Sequence, residues 1–460
     1  MRKLVNILIT LVILITGIQT SVKAQTPGPY YVVQPGDTLN DIAGRFGVST
    51  EDLISVNQIT NPDILSAGTQ LLIPGLPDIQ GILTTQAVPL GMDLEGLILL
   101  SGIEPDTFIS LNRITSPNEL YAGAQIILLE NETSELGFLG VLKTNDSWLE
   151  MATSKGINAW TLALSNDKLS SQSTLPGTLV LAPSNLITSH TSPISDQIEL
   201  FNLSPLPLVQ GNTAVLKIET KQPATFSGSL NAMPLHFFQD PSGFYYALQG
   251  IHAMATPGLT QITINGTFDS GEVFSFSQML LIKEGYFAED PTLEVDPATI
   301  DPANTKPEED MVRVTTSGLT AERYWSGMFL LPVDEPWCIK SWYGNRRSYN
   351  SGPYDFFHTG VDYGVCATFN IYSAADGVVV FAGPLTVRGN TTYIDHGQGV
   401  YTGYFHQKEI QVKTGDKVTA GQLIGQIGST GRVTGPHLHW EVWVNGIQVE
   451  PLDWLETAYP

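Results

Sequence analysis

Basic residues are scarce in this sequence. Lys and Arg number 22 against 45 Asp and Glu, which gives a formal net charge of −23. The chain therefore lacks the basic footprint that a polyanion requires, and we expect no nucleic-acid partner. Charged residues of both signs are only 15% and hydrophobic residues 42%, a composition that excludes a disordered chain and a membrane protein with several spans. At 460 residues the chain is long enough for about three domains.

Residues 1–24 begin with basic residues and continue as an apolar run. Arg2 and Lys3 precede a run of mostly Leu, Ile and Val over 4–18, which is short for crossing a bilayer. Val-Lys-Ala at 22–24 suits signal peptidase. We expect a cleaved secretory signal, no stable membrane span after cleavage, and a secreted or cell-envelope, extracytoplasmic location. An uncleaved N-terminal anchor is the alternative. No cysteine lies at the cleavage point, which argues against a lipoprotein.

Cysteine is nearly absent. Cys338 and Cys366 are the two cysteines of the chain, and neither lies in a redox motif. An even number of cysteines in an exported chain favours a disulfide between them. Two unrelated buried thiols are the alternative.

The first half of the chain contains an internal repeat. Asn57–Gln70 matches Asn112–Gln125 without gaps, and a weaker third copy includes Gly156 and Asn166. A period of roughly 55 residues indicates an array of like units. We expect three units, over 30–75, 83–130 and 138–184.

The first unit shows its local pattern most clearly. A strand at 31–33 leads into a turn at 36–39, where Thr38 is a candidate N-cap for a helix. The apolar positions of that helix are Leu39, Ile42, Ala43 and Phe46. A second helix, a loop and a strand over 70–74 follow, so the predicted order is β-α-α-β.

Residues 31–39, Tyr-Val-Val-Gln-Pro-Gly-Asp-Thr-Leu, and 68–74, Gly-Thr-Gln-Leu-Leu-Ile-Pro, resemble a LysM module. Such modules bind N-acetylglucosamine-containing glycans such as peptidoglycan or chitin. The resemblance implies a glycan groove formed by Gly36, Asp37, Thr38, Leu39, Asn61, Pro62, Asp63, Ile64 and Leu65. The later units carry Gly-Met-Asp-Leu at 91–94 and Asn-Asp-Ser-Trp at 145–148 instead of Gly-Asp-Thr-Leu. They are degenerate LysM-like modules, and either sugar binding or a purely structural role is open to them.

Two different segments follow the repeats. Residues 192–287 hold short β-rich runs punctuated by Gly and Pro, with strands expected over 213–219, 245–249, 261–265 and 274–282. This pattern predicts an immunoglobulin-like β-sandwich that serves as a spacer. Residues 288–328 form an acidic linker with four prolines between 290 and 310. We expect the linker to be extended, with a short helix near 308–314.

Five of the eight histidines lie in the last quarter of the chain. They are His358, His396, His406, His437 and His439. A catalytic zinc takes three protein ligands and keeps one position open for water. His358 and Asp362 offer two ligands from one segment, and His439 offers a third from a distant strand. Because side chains alternate along a strand, His437 shares a face with His439, and Asn-Gly at 445–446 predicts a tight hairpin turn after them.

The motifs His358-Thr-Gly-Val-Asp-Tyr, Ile394-Asp-His-Gly, Tyr404-Phe-His and Gly435-Pro-His-Leu-His-Trp-Glu together resemble the lysostaphin-like, LytM-type zinc metallopeptidases. The resemblance implies a mostly-β domain over 329–460 with a groove around the metal. It implies Zn²⁺ held by His358, Asp362 and His439, with His406 and His437 as the catalytic pair and His396 in a structural role. Strands are expected over 377–381, 391–394 and 411–412.

The two resemblances point to one polymer. The leading hypothesis is a multidomain, exported, zinc-dependent endopeptidase that hydrolyses peptide cross-links or stem peptides of peptidoglycan while LysM holds it on the glycan. A non-enzymatic, wall-binding regulator of other cell-wall hydrolases is one alternative. A zinc peptidase that acts on secreted proteins is another.

Overall fold

The computed structural model describes residues 28–34, 36–76, 79–116, 120–130, 136–142, 147–166, 178–187, 194–195 and 197–460. The expected signal over 1–24 lies outside these residues. The chain divides into two compact units. One is Met1–Gln86, Ile103–Arg113 and Ile127–Glu132; the other is Ala87–Gly102, Ile114–Ile126 and Thr133–Pro460. Within the described ranges, no helix has the length and apolarity needed to cross a membrane.

The first unit begins with a β-α-α-β module. Its elements are β1 (Pro29–Val32), α1 (Leu39–Phe46), α2 (Thr50–Asn57) and β2 (Gln70–Leu72). The Thr38 side chain accepts a hydrogen bond from the N–H of Asp41, and Gly47 ends α1 at a φ of 65°. The four apolar residues predicted for α1 are buried in one core with Tyr31 and Leu71, because their helical spacing places them on one face.

The sequence repeat corresponds to a repeated asparagine clamp. In each copy, an Asn at the end of the second helix donates from Nδ2 to the backbone carbonyls four residues before it and fifteen residues after it, and its Oδ1 accepts the N–H of the latter residue. These asparagines are Asn57, Asn112 and Asn166, and the bonds measure 2.6 to 3.1 Å. The clamp explains why Asn recurs at this place in the repeat.

The remaining repeat elements follow the same order. They are β3 (Gly81–Ala87), α3 (Leu94–Ser101), α4 (Pro105–Asn112), β4 (Gln125–Leu129), β5 (Leu136–Val141), α5 (Trp148–Lys155), α6 (Ala159–Ser165) and β6 (Leu179–Pro183). In the third copy β5 and β6 pair antiparallel, and Met151, Leu162 and Val180 share a buried core. A short 3-10 helix follows at Ser184–Leu186.

Residues 198–283 form two sheets that face one core. The strands are β7 (Ile198–Ser204), β8 (Leu208–Val209), β9 (Thr213–Thr220), β10 (Ala224–Leu230), β11 (Met233–Leu235), β12 (Phe238–Gln239), β13 (Tyr245–Gly250), β14 (Gly258–Phe268) and β15 (Val273–Lys283). One sheet has the order β11-β10-β14-β15-β8 and the other β12-β13-β9-β7. Leu216, Ile264 and Leu280 fill the space between them. A β-sandwich is present, with strands at all four predicted places.

The prediction of an extended linker over 288–328 is wrong in the middle of the segment. Helix α7 covers Pro302–Thr315, which is longer than the short helix expected near 308–314. Pro302 occupies the first helical position, where a missing N–H has no cost, and Asp301 caps the helix. Pro307 lies inside the helix, and buried Glu308 fastens the helix to residues 387–388. A short 3-10 helix precedes α7 at Pro297–Thr299.

The C-terminal region is mostly β. Its elements are β16 (Ile339–Ser341), β17 (Arg346–Arg347), β18 (Phe356–Phe357), β19 (Val361–Gly364), β20 (Asn370–Tyr372), β21 (Gly377–Leu385), β22 (Gly389–Gly397), β23 (Val400–Ile410), β24 (Lys417–Val418), β25 (Leu423–Ile427), β26 (His437–Val444), β27 (Ile447–Val449) and α8 (Pro451–Glu456). The main sheet has the order β16-β19-β26-β23-β22-β21-β24. Its core includes Val361, Tyr404 and Trp440.

Three local predictions for this region can be compared with the structure. The strand expected over 411–412 is wrong: β23 ends at Ile410, and the chain turns through Lys413–Asp416, where the N–H of Lys413 donates to the Asp416 carboxylate. The hairpin turn between β26 and β27 is confirmed, since Asn445 and Gly446 have φ of 49° and 77°. Cys338 and Cys366 form a disulfide.

Candidate active site

Two neighbouring strands bring the predicted metal ligands together. β19 and β26 are adjacent antiparallel strands of the main sheet, and their register sets Asp362 opposite His439. His358 lies just before β19. A register shift of one residue would turn these side chains to the opposite face, so the apolar residues that alternate with them also fix the site.

The three ligand atoms converge tightly. His358 Nε2 lies 2.9 Å from Asp362 Oδ1 and 2.9 Å from His439 Nδ1. His439 Nδ1 lies 2.8 Å from Asp362 Oδ1. All three residues are buried, at 2%, 7% and 7% exposure. They are the group of His, Asp and His that could hold a metal ion.

The hydrogen bonds of His358 and His439 place the proton of each imidazole on the ring nitrogen that points away from the ligand centre. His358 Nδ1 lies 2.8 Å from the Trp342 carbonyl oxygen, which can only accept, so the proton of His358 resides there. His439 Nε2 lies 3.3 Å from Glu441 Oε1 and donates to it. Two bare imidazole nitrogens and a carboxylate oxygen therefore face one another without a proton to share. A cation satisfies all three, and this donor set fits a metal ion.

The electrostatics of the centre favour a bound cation. Burial opposes ionisation of Asp362, but His358 and His439 beside it hold the pKa of this carboxyl well below its ordinary value. Burial acts to lower the pKa of His439, yet its hydrogen bonds to Asp362 and Glu441 raise that pKa. Burial lowers the pKa of His358.

His406 and His437 lie together beside the ligand group. Their ring centroids are 4.8 Å apart, and His437 Nε2 lies 3.7 Å from Asp362 Oδ1. His406 Nδ1 is 2.8 Å from the Thr430 carbonyl oxygen, and His437 Nδ1 is 2.8 Å from that of Gly435. Each ring therefore keeps its proton on Nδ1 and leaves Nε2 bare.

The backbone and the surroundings of His406 set it apart. Its φ is 59°, a left-handed conformation that is uncommon for a side chain of this size and concentrates at functional sites. Burial, reinforced by the charges of His437 and His439, lowers the pKa of His406 to about 3. The imidazole is therefore neutral near pH 7.

A groove of about 850 Å³ runs over these residues. It is lined by the site histidines, by the loop of the sandwich, by the segment before α7, and by the β17–β18 region; examples are His252, Asp290, Leu293, Tyr349 and Arg432. Phe356 at the groove is 50% exposed. The lining thus combines apolar side chains such as Leu293 with charged ones such as Asp290 and Arg432.

His396 is not brought to the site. It is fully buried, with Nδ1 2.7 Å from the Asp376 carbonyl oxygen and Nε2 2.7 Å from Thr402 Oγ1. Burial lowers its pKa to about 4. Its contacts join β22 to its neighbours, which is consistent with the structural role expected from the sequence.

Glu441 is a site residue that the sequence reasoning missed. It accepts from His439 and, at 2.7 Å, from Trp443 Nε1. The alternation of β26 carried the signal, because residues 437, 439 and 441 share one face. Phe405 was also missed; its ring stacks on His439 at 5.1 Å.

The predicted glycan-binding residues of the first module differ in their burial and in their hydrogen bonds. Leu39 is buried in the core. Asp37 accepts from Tyr31 Oη at 2.6 Å and from Arg45 Nη2 at 2.9 Å, so it braces the turn from inside. Asn61 Oδ1 accepts the N–H of Asp63, and Ile64 is 69% exposed. Gly36, Thr38, Pro62 and Leu65 lie in the same turn and loop.

Comparison with known families and proteins agrees with these motifs. Residues 356–451 match the family model Peptidase family M23, and residues 31–74 and 99–128 match the LysM domain. The chain is 41% identical over 121 residues to "Peptidoglycan DD-endopeptidase ShyA" of Vibrio cholerae, a match that covers 26% of this chain and 28% of ShyA. It is 43% identical over 95 residues to "DD-carboxypeptidase/endopeptidase Mpg" of Neisseria meningitidis, covering 21% of this chain and 22% of Mpg.

The chain thus spans less than a third of the length of these relatives. Among solved structures, a peptidase M23 from Pseudomonas aeruginosa is 24% identical, with a TM-score of 0.41, and the match covers 55% of this chain and 96% of that one.

Proposed function

Because the chain carries a peptidase M23 domain and LysM domains, we propose that it is an exported, zinc-dependent endopeptidase that hydrolyses peptide cross-links or stem peptides of peptidoglycan. The observation that carries the proposal is the convergence of His358 Nε2, Asp362 Oδ1 and His439 Nδ1 at 2.8 to 2.9 Å.

Zinc is the metal that this donor set suits best. Two imidazole nitrogens and one carboxylate oxygen are ligands of catalytic zinc, which keeps its fourth position open. When bound, zinc supplies a Lewis acid that polarises a carbonyl and lowers the pKa of water.

The two remaining histidines supply the proton transfers. His406 and His437 present bare Nε2 atoms beside the ligand group, held there by their Nδ1–H bonds to the carbonyls of Thr430 and Gly435. One ring accepts the proton of the attacking water, and a protonated ring delivers one to the leaving amine. General acid–base catalysis of this kind contributes about 10²- to 10⁴-fold to a rate.

The other domains support action on an insoluble wall. We propose that the LysM module at 30–75 tethers the peptidase to glycan, which raises its local concentration. The names of ShyA and Mpg support a peptidoglycan substrate, and the apolar segment at 4–18 supports export. The strand orders of the sandwich, with β7, β9, β13 and β12 in one sheet and β10, β14 and β15 in the other, support an immunoglobulin-like fold for this domain.

The test is the release of soluble muropeptides from purified peptidoglycan. Wild type should release them, lose the activity with a chelator and regain it with zinc. His439→Ala should be inactive, and His236→Ala, a half-buried histidine of the sandwich, should behave like wild type. Mass spectrometry of the products names the bond. Wall binding without release by the zinc-loaded chain would contradict the proposal and favour a non-enzymatic regulator.

A further inference from the structure

Arg347 lies directly behind the metal-ligand group. Asp362 turns Oδ1 towards His358 and His439, whereas its Oδ2 lies 3.3 Å from Arg347 Nη2. The Arg347 side chain is only 15% exposed, so water competes little for this contact. The guanidinium therefore occupies the oxygen of Asp362 that does not face the ligand centre.

Arg347 is itself held by a residue that precedes the peptidase domain. Its Nε lies 3.4 Å from Asp290 Oδ2. Asp290 also accepts from Asn345 Nδ2 at 2.7 Å and from Ser341 Oγ at 3.2 Å. Ser341 Oγ in turn accepts from Arg347 Nη2 at 3.0 Å. These contacts join one carboxylate, one guanidinium and the ligand Asp362 in a single chain.

The backbone fixes Asp290 in place. Its N–H donates to the Arg346 carbonyl at 2.9 Å, and the N–H of Leu293 donates to the Ser348 carbonyl at 2.9 Å. The segment 289–295 thus runs alongside the residues that carry Arg347, with isolated bridges at Glu289 and Leu293. It lies outside the range 356–451 that matches the peptidase family.

We propose that Asp290 and Arg347 are positioning residues of the metal site, an inference that rests on the proposed zinc centre. Arg347 binds Oδ2 and so restricts Asp362 to ligation through Oδ1. Asp290 orients Arg347 and balances its positive charge, which would otherwise repel a dication nearby. The segment that reads as a linker in the sequence is therefore part of the metal centre.

The first experiment measures Zn²⁺ affinity of the full chain by competition with a chromophoric chelator. Asp290→Asn keeps the size of the side chain but leaves the Arg347 charge unbalanced, and we expect affinity to fall about 10-fold, as for other partners of metal ligands. Glu289→Gln is the matched control, since it removes the same charge from an exposed neighbour, and it should bind as wild type does.

The outcomes separate the two proposals. Zinc binding by wild type with unchanged affinity in Asp290→Asn overturns this inference and leaves the zinc enzyme standing. A wild-type chain that binds no zinc overturns both. An equal loss in Glu289→Gln would show a general charge effect and would also overturn the role of Asp290.

The second experiment uses Co²⁺ as a spectroscopic probe in the same full chain. Arg347→Met frees Oδ2, so Asp362 can bind through both oxygens, and the higher coordination number should weaken the visible absorption of Co²⁺. Arg347→Lys keeps a donor and should restore much of the wild-type spectrum. A merely structural role would change the unfolding temperature but not the spectrum, so a wild-type spectrum in Arg347→Met contradicts the proposal. If Arg347→Met does not fold, the Co²⁺ absorption spectra of Arg347→Lys and Asp290→Asn test the proposal instead, and wild-type spectra in both contradict it.

Discussion

At the residue scale, the chemistry of the site depends on where each imidazole holds its proton. The carbonyls of Trp342, Thr430 and Gly435 fix the protons of three rings, and Glu441 fixes that of His439. Each partner is a backbone or buried acceptor, so the tautomers follow from geometry. The bare nitrogens then divide into two sets, one on His358 and His439 within 2.9 Å of Asp362 Oδ1 and one on His406 and His437.

Glu441→Gln tests this reading of the tautomers. The amide has the size of the carboxyl but is a weaker acceptor, and Trp443 competes for it. We expect Zn²⁺ affinity to fall about 10-fold while the fold is kept. Chelator competition measures the affinity, and Glu409→Gln, on the exposed part of β23, is the control. Equal affinity in both variants would mean that Glu441 does not set the tautomer.

His396 predicts a pH dependence of stability. Burial lowers its pKa to about 4, so below the ordinary value near 6.5 the unfolded chain takes up a proton that the folded chain refuses. The free energy of unfolding therefore falls as pH drops from about 6.5 to about 4, by about 3 kcal/mol from this group. It is unaffected by this group above 6.5.

His396→Gln should remove that slope. Urea unfolding between pH 7 and pH 5 should show a smaller loss of stability in the variant than in wild type, although the variant is less stable at pH 7 because the bonds to Asp376 and Thr402 change. Parallel pH profiles of the two proteins would show that His396 does not titrate in this way.

At the element scale, short segments are held by side chains from elsewhere. The second helix of each repeat ends at an Asn that binds the last strand, and α7 is fixed by Glu308, which accepts from the N–H groups of Val387 and Arg388. These side chains place helices of only seven to fourteen residues, which are marginal in isolation.

Asn57→Ala tests the clamp of the first module. The substitution leaves the N–H of Leu72 and two carbonyls without their partner, which costs about 1–3 kcal/mol. Hydrogen exchange of the full chain should become faster in α2 and β2. Asn40→Ala, on the exposed face of α1, should have little effect. Unchanged exchange in Asn57→Ala would show that the module is held by its apolar core alone.

At the scale of the whole molecule, binding and cutting are assigned to different parts of the chain. The proposed glycan site lies in the unit that contains β1, and the metal-ligand group lies in the unit that contains β19 and β26. A soluble glycan that occupies LysM should therefore leave the chemistry intact.

We expect excess N-acetylglucosamine oligomer to slow muropeptide release from insoluble wall, because it removes the tether that raises local concentration. Cleavage of a soluble peptide substrate should not change. The two rates are measured with the same zinc-loaded full chain. Inhibition of both reactions would mean that the oligomer binds in the peptidase groove. It would contradict the proposal that glycan binding and peptide hydrolysis occur at separate sites.

The sequence predictions succeeded where the interactions are local in the chain and failed where they join distant residues. The burial of Leu39, Ile42, Ala43 and Phe46 follows from helical spacing alone, and the turn at Asn445 and Gly446 from two local conformational preferences. The error over 411–412 arose because two residues with strand composition cannot show that the chain has left the sheet. The linker was misread because the group that fixes α7, at 387–388, lies about 80 residues away in the chain.

The sequence by itself indicated the LysM and peptidase domains and the three candidate metal ligands, since motifs and alternation are local and side-chain chemistry limits what can hold a metal. Only the tertiary structure decided which atoms face one another. The pairing of β19 with β26 sets the 2.8 Å contact between Asp362 and His439, and the bridges of segment 289–295 bring Asp290 to Arg347. Such contacts join residues far apart in the chain, and no local pattern records them.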